Sequence, residues 1–133
     1  MSRLCDYEHL ITPMISAEDI ARRCDELAAE INRDYSDGEL IVVGVLKGVF
    51  PFYADLVRRI DVACRCDFLG LSSYGSRTET SGVVRLTFDV TQPLMGRDVL
   101  ILEDIVDTGL TMRYLLDNFK TRGPRSIKIC TLL

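Results

Sequence analysis

Apolar residues in this chain alternate between short uninterrupted runs and longer stretches in which they recur every three or four positions. The runs Leu40–Leu46 and Val99–Leu102 are aliphatic throughout apart from one glycine, as is typical of strands buried on both faces of a sheet. The stretch from about Ala17 to Asp34 has the helical spacing instead, and Ser16 with Asp19 forms a capping box ahead of it. Strands and helices are therefore expected to follow one another.

The rest of the chain continues this alternation. A polar segment from Ser72 to Gly82 contains two glycines and almost no apolar residue, which indicates a mobile surface loop. Because strands alternate with helices, the pattern predicts an α/β fold with a parallel sheet covered on both faces. The other predicted elements are a helix with apolar positions from Phe52 to Ile60, a strand from Val62 to Leu71, a returning ribbon strand from Val83 to Val90, a helix with apolar positions from Met112 to Phe119, and a last strand from Ser126 to Leu133.

Composition narrows the class of protein. With 133 residues, of which 47% are hydrophobic and 27% charged, the chain is expected to form a single folded domain over 1–133. A net charge of -4 and the lack of a basic run disfavour a nucleic-acid partner. No apolar stretch reaches membrane-spanning length, and the first residues lack the apolar core of a signal peptide. We therefore expect a cytoplasmic protein without a membrane partner.

The cysteines and the histidine limit the possible chemistry. There are five cysteines, and none forms a C-x-x-C pair, which favours reduced, structural thiols over a metal site. His9 is the only histidine and precedes the first helix, so a histidine-based zinc site or a Ser/His/Asp triad is hard to build. A general base must therefore come from another residue type.

Acidic residues follow the strand Val99–Leu102 directly. Glu103 and Asp104 are adjacent, and Asp107 comes three residues later. Acids at the carboxyl end of a buried strand lie at the edge where open α/β sheets bind ligands. Next come Thr108, Gly109, Leu110 and Thr111, which place hydroxyls and free backbone N–H groups at a helix N-terminus, where a phosphate is stabilised. Acids beside a phosphate site suggest a phosphorylated sugar together with Mg²⁺.

The segment VLILEDIVDTGLT resembles the phosphoribosyl pyrophosphate (PRPP) signature of the type I phosphoribosyltransferases, in the form found in hypoxanthine-guanine phosphoribosyltransferases. The resemblance implies a type I phosphoribosyltransferase fold, with a parallel Rossmann-like sheet flanked by helices and a flexible β-ribbon loop. It also implies transfer of the 5-phosphoribosyl group of PRPP to hypoxanthine or guanine, giving IMP or GMP and pyrophosphate. Family members generally form dimers or tetramers, which implies a homodimer or homotetramer.

The resemblance also implies roles for individual residues. Asp107 would act as general acid/base at the purine N7, and Glu103 and Asp104 would contact the ribose hydroxyls and Mg²⁺. The remaining contacts are Thr108, Gly109, Leu110 and Thr111 at the 5'-phosphate, Lys47 and Gly48 at pyrophosphate, and Ser73 and Tyr74 on a loop that closes over PRPP. The L-K-G segment further implies a non-proline cis peptide between Leu46 and Lys47.

Three alternative functions remain beside this interpretation, and the choice of base is a separate question. Members of the family continue past the position of Leu133 with residues that recognise the purine, so the choice of base is implied by the resemblance alone. A regulator that binds PRPP or a nucleotide without turnover, or an inactive fragment of such an enzyme, would share the same phosphate site. A receiver-like phosphoacceptor module also has acids at strand ends, but it would lack the D-T-G-x-T segment.

Overall fold

The computed structural model describes residues 12–74 and 83–133, and these form a mixed α/β fold. A single sheet holds five strands within this part of the chain. In chain order the elements are α1 (Ala17–Asp34), β1 (Leu40–Leu46), α2 (Phe50–Val57), β2 (Cys64–Tyr74), β3 (Val83–Phe88), β4 (Asp98–Glu103), α3 (Leu110–Lys120) and β5 (Ser126–Thr131).

The strands lie in the order β3-β2-β1-β4-β5, with β1 at the centre. β1 pairs in parallel with both β2 and β4, and β4 pairs in parallel with β5. Only β3 runs antiparallel, along the outer side of β2. The predicted parallel sheet is thus confirmed, and the antiparallel edge is the returning ribbon strand that the sequence indicated.

Side chains of the central strands alternate between two apolar clusters. Leu40 and Val42 of β1 face α1 and α2. On this side of the sheet they share a cluster with Phe52 and Leu56 of α2. Ile41 and Val43 face the opposite side, where α3 covers them. Both faces of β1 and β4 are covered, so the predicted apolar runs are buried almost throughout, and in β4 the run lies between Asp98 and Glu103.

The boundaries of several elements differ from the prediction; β3 ends at Phe88 and not at Val90, and β5 ends at Thr131 and not at Leu133. β2 continues to Tyr74, three residues beyond the predicted end at Leu71, because Ser72–Tyr74 pair with Val83–Arg85 of β3. Ladder hydrogen bonds join backbone groups, so polar side chains can extend a strand that hydrophobic pattern alone would end. The second helix ends at Val57, before Ile60. The rest of the predicted loop, 75–82, lies outside the described residues.

Four of the cysteines lie in the described part of the chain. Cys24, Cys64, Cys66 and Cys130 are all free thiols. None of the helices in this part combines the length and hydropathy needed to cross a membrane.

A polar cluster ties the start of β4 to the start of β5. The buried Asp98 carboxylate accepts a hydrogen bond of 3.0 Å from Arg125 Nε, a second from Arg125 Nη2, and one of 2.6 Å from Ser126 Oγ. The Arg125 hydrogen bond, followed by the Ser126 one, holds the pKa of Asp98 below its ordinary value. Gly38 lies so close that an added Cβ would approach Arg125 Nη2 to 2.8 Å.

We predict that Asp98→Asn lowers the free energy of unfolding at pH 7 by about 1–3 kcal/mol, because it removes hydrogen bonds to a charged, buried group. The folded-state pKa lies below the unfolded value, so this stabilisation is complete above about pH 5 and is lost as the pH falls below about 4. Urea unfolding at pH 7 and pH 3 measures the difference. Asp117→Asn, at an exposed ion pair with Lys120, is the control with little expected effect. An equal loss at both pH values would contradict the prediction.

Candidate functional site

The candidate site lies where the adjacent parallel strands β1 and β4 end. Their register pairs Gly44 with Leu102, so the two strands reach the same edge of the sheet together. The loop after β1 begins with Lys47 and Gly48, and the loop after β4 begins with Asp104. Both predicted ligand-binding segments are therefore neighbours at the carboxyl edge, where the sequence analysis placed them.

Gly48 and Asp104 are in direct contact. A Cβ added to Gly48 would overlap the Asp104 carboxylate, with the Asp104 carboxyl carbon only 3.0 Å away. Any side chain at this position would force the Asp104 carboxylate to move, whereas glycine lets the backbone approach it closely. The peptide bond between Leu46 and Lys47 is cis, as the resemblance implied. Lys47 is exposed, and its side chain is free to face a ligand in solvent.

Glu103 and Asp104 form a pair of carboxyl groups at the end of β4. Glu103 is half-buried, and the Asp104 N–H donates a 3.3 Å hydrogen bond to Glu103 Oε1. Burial, and then the neighbouring Asp104 carboxyl group, raise the pKa of Glu103 to about 7, although the hydrogen bond from the Asp104 N–H acts in the opposite direction. Such a pair is stabilised in its charged form by a bound cation, and carboxylate oxygens are suitable ligands for Mg²⁺.

These two carboxylates fit a magnesium ion only as part of a larger ligand set. Among residues 12–74 and 83–133, no group of three or more histidine, cysteine or acidic side chains is arranged to hold a metal. Mg²⁺ commonly keeps several waters and binds through one or two carboxylates plus substrate phosphates. The donor set of Glu103 and Asp104 matches that mode of binding.

A cleft opens beside this pair, along the loop that joins β4 to α3. Asp107 is exposed at the cleft, and Thr108, Gly109 and Thr111 lie along it. Leu110 is not among the lining residues, and its side chain is 52% exposed. Any contribution of Leu110 to phosphate binding would therefore come from its backbone N–H.

The N-terminus of α3 is built to leave its first amides available. Gly109 is the N-cap residue with φ 77°, and no side chain caps the helix. The Arg113 N–H donates to the Gly109 carbonyl at 2.9 Å, while the Leu110 N–H has only a long, 3.4 Å contact with Thr108 Oγ1. Since the helix dipole is positive here, the first turn of α3 can bind an anionic group.

Ser73 and Tyr74 are the last residues of β2 and pair with Val84 and Val83. They therefore sit on an antiparallel ribbon, where the sequence analysis had expected a loop. Their side chains lie outside the described part of the structure, so their predicted role over PRPP stays a prediction.

Other residues of the site were not found from sequence. Ile105, Val106 and Met112 line the cleft with apolar side chains. The sequence analysis treated Ile105 and Val106 only as spacers in the motif and Met112 only as an apolar position of the helix. Leu133 also contributes: its N–H donates to the Asp104 carbonyl at 3.0 Å, and its carbonyl accepts from the Val106 N–H at 3.1 Å. Nothing in the local sequence indicates these contacts, because they join segments that are distant along the chain.

Comparisons with known proteins identify the family to which this chain is similar. Residues 14–133 match the family described as phosphoribosyl transferase domain. The hypoxanthine-guanine phosphoribosyltransferase of Bacillus subtilis (strain 168) is 47% identical over 120 residues, covering 90% of this chain and 67% of that protein. The Mycobacterium avium protein of the same name is 46% identical over 126 residues, covering 90% and 62%. The chain thus spans about two thirds of the length of these relatives.

Solved structures of similar proteins have the same fold. A hypoxanthine-guanine phosphoribosyltransferase from Bacillus anthracis superposes with a TM-score of 0.85 at 42% identity, covering 91% of this chain and 72% of that one. A hypoxanthine phosphoribosyltransferase from Staphylococcus aureus gives a TM-score of 0.89 at 35% identity, covering 98% and 71%.

We predict that Gly109→Ala destabilises the protein by about 1 kcal/mol, because alanine is strained at a positive φ. An added Cβ would meet nothing within 4 Å, so the cost is conformational and not steric. Gly109→Asn is the matched variant, since asparagine tolerates the left-handed region better, and its loss should be smaller. Urea unfolding of both variants measures the loss in the free energy of unfolding for each. Equal losses for alanine and asparagine would show that the backbone conformation is not the cause.

Proposed function

This chain belongs to the phosphoribosyltransferase family, and we propose that it transfers the 5-phosphoribosyl group of PRPP to hypoxanthine or guanine in purine salvage. The products would be IMP or GMP and pyrophosphate. The observation that carries the proposal is the contact of Gly48 with Asp104, beside the uncapped N-terminus of α3. A basic loop, a carboxylate pair and a phosphate site at one edge suit a substrate that has a pyrophosphate, a ribose and a 5'-phosphate. The names of the relatives support the choice of purine.

In the proposed complex, the substrate lies across the carboxyl ends of β1 and β4. Lys47 and the Gly48 backbone would bind the pyrophosphate, and Glu103 with Asp104 would orient the ribose hydroxyls. The 5'-phosphate would be bound by the first turn of α3, with Thr108 and Thr111 as hydroxyl donors and Gly109 and Leu110 as backbone donors. Ser73 and Tyr74 would contact PRPP from the ribbon.

Positive charge develops on the ribose as pyrophosphate departs. In the proposed complex, the carboxylates of Glu103 and Asp104 would stabilise that charge. Mg²⁺, held by the same two residues together with substrate oxygens, would lower the charge cost of releasing pyrophosphate. Asp107 would exchange a proton with N7 of the purine, and Ile105 and Val106 offer apolar surface to the flat base in the same cleft.

The free cysteines bear on the cellular compartment of the protein. Four free thiols, at Cys24, Cys64, Cys66 and Cys130, support a reducing compartment, and we place the protein in the cytoplasm.

We also propose that 1–133 folds as one core domain that assembles into a homodimer or homotetramer. Sedimentation velocity distinguishes a monomer from either assembly.

The test of the proposed function is release of pyrophosphate from PRPP and Mg²⁺ in the presence of hypoxanthine, guanine, xanthine or adenine in turn. Release with hypoxanthine or guanine, and none with adenine, is the expected result. A folded chain that binds PRPP without releasing pyrophosphate would instead be a PRPP-binding regulator or an inactive fragment. Absence of both binding and release would contradict the phosphate-site assignment as well.

We predict that Asp107→Asn lowers kcat by about 10²- to 10⁴-fold, the usual contribution of a positioned general acid/base. The Kd for PRPP should change little, because the carboxylate acts on the purine. Steady-state kinetics and calorimetry measure the two quantities. Asp117→Asn, on the exposed side of α3, is the control. Parallel losses in turnover and PRPP affinity would show that Asp107 has a binding role instead.

We predict that Thr111→Val weakens PRPP binding about tenfold or more, because it removes a hydrogen bond to a charged phosphate while keeping the side-chain shape. Calorimetry with PRPP and Mg²⁺ measures the change. Thr121→Val is the matched control, since Thr121 lies just past the opposite end of the same helix and its hydroxyl donates to the Asn118 carbonyl. An unchanged Kd in Thr111→Val would remove this residue from the phosphate site.

A further inference from the structure

A bidentate ion pair joins the base of the β2–β3 ribbon to the end of α3. Arg122 Nη1 donates to Asp89 Oδ1 at 2.9 Å, and Arg122 Nη2 donates to Asp89 Oδ2 at 2.7 Å. Two parallel bonds fix the relative orientation of the two groups as well as their separation. The Arg122 hydrogen bond holds the pKa of Asp89 below its ordinary value, so the carboxylate is charged at neutral pH.

Other contacts hold the Arg122 guanidinium in place. It also donates to Asn118 Oδ1, and it stacks over the Phe119 ring at 5.0 Å from the centroid. The Arg122 side chain is only 27% exposed, so it is screened less by solvent than an ordinary surface arginine. Asp89 is fixed in turn, because its Oδ1 accepts a 2.7 Å hydrogen bond from the Val90 N–H.

The position of this pair in the fold connects two parts of the candidate site. Asp89 directly follows β3, at the point where the ribbon leaves the sheet, and Arg122 comes two residues after α3. α3 has 11 residues and spans about 16 Å from this end to the phosphate-binding turn at Gly109. The ribbon carries Ser73 and Tyr74, which pair with Val84 and Val83.

An apolar cluster fills the space between the ribbon and the helix. Leu86 of β3 and Val90 pack against the cluster that contains Met112, Leu115 and Phe119 of α3. Apolar packing resists separation but allows small rotations, whereas a bidentate ion pair specifies direction. Arg122 therefore limits how the ribbon can turn relative to the helix that would bind the 5'-phosphate.

We propose that Arg122 is a positioning residue, whose pairing with Asp89 sets the orientation of the β2–β3 ribbon relative to α3 and so controls affinity for PRPP. This inference rests on the proposed function for its ligand. It concerns binding and not the chemical step, because neither Arg122 nor Asp89 lines the cleft at Asp107.

Kinetics of Arg122→Gln and Asp89→Asn test the proposal. Each variant should raise KM for PRPP about 3- to 10-fold, as is usual for changes in a coupled contact away from the ligand. The value of kcat at saturating PRPP should stay within about twofold of the parent. Arg125→Gln is the matched control: it breaks the Asp98 pair, which lies away from the ribbon, and should lower stability without changing KM.

Exchanging the two charged residues distinguishes a positioning role from a general loss of stability. The double variant D89R/R122D restores an ion pair in reversed order, so its KM should return part of the way to the parent value. If Arg122→Gln changes KM no more than Arg125→Gln does, or if kcat falls in proportion to the folded fraction, the positioning role is wrong.

Hydrogen–deuterium exchange of the ribbon amides gives a readout that needs no ligand. Arg122→Gln should increase exchange at Leu71–Ser72 and Arg85–Leu86, and Arg125→Gln should not. If the parent protein neither binds nor turns over PRPP, the proposed function fails, while this measurement still decides whether Arg122 orients the ribbon. Unchanged exchange in Arg122→Gln would overturn the proposal by itself.

Discussion

The parallel pairing of β1 with β4 is the interaction on which the rest of the structure depends. It places the ends of two strands that are distant in sequence at one edge of the sheet, with Gly44 opposite Leu102. Only this register brings the Gly48 backbone against the Asp104 carboxylate. A shift by one residue would exchange the side chains that face the two apolar clusters, and both clusters would have to repack. The hydrophobic core therefore determines the geometry of the polar site above it.

Charge is divided between two adjacent parts of that edge. The Glu103–Asp104 pair is half-buried, and burial, followed by the neighbouring Asp104 carboxyl group, raises the pKa of Glu103. The first turn of α3 provides the opposite potential, with backbone N–H groups and no capping side chain. A ligand that presents a cation to the first part and a phosphate to the second satisfies both. This division explains why acids and a phosphate site can be neighbours.

α3 links stability to binding. Its apolar face, with Leu115 and Phe119, completes one of the two core clusters, and its N-terminus opens on the cleft. Its far end is joined to the ribbon through Arg122 and Asp89. One helix thus contacts the core of the sheet, the cleft and the ribbon.

The sequence by itself determined the order of elements, the buried strands and the segment from Glu103 to Thr111, because hydrophobic period and motif spacing are local properties. It could not determine the extension of β2 to Tyr74, which depends on backbone pairing with β3. Nor could it reveal the contact of Gly48 with Asp104 or the pairing of Arg122 with Asp89, since each joins segments that are distant along the chain. Those contacts exist only once the sheet has set its register and the helices have packed on it.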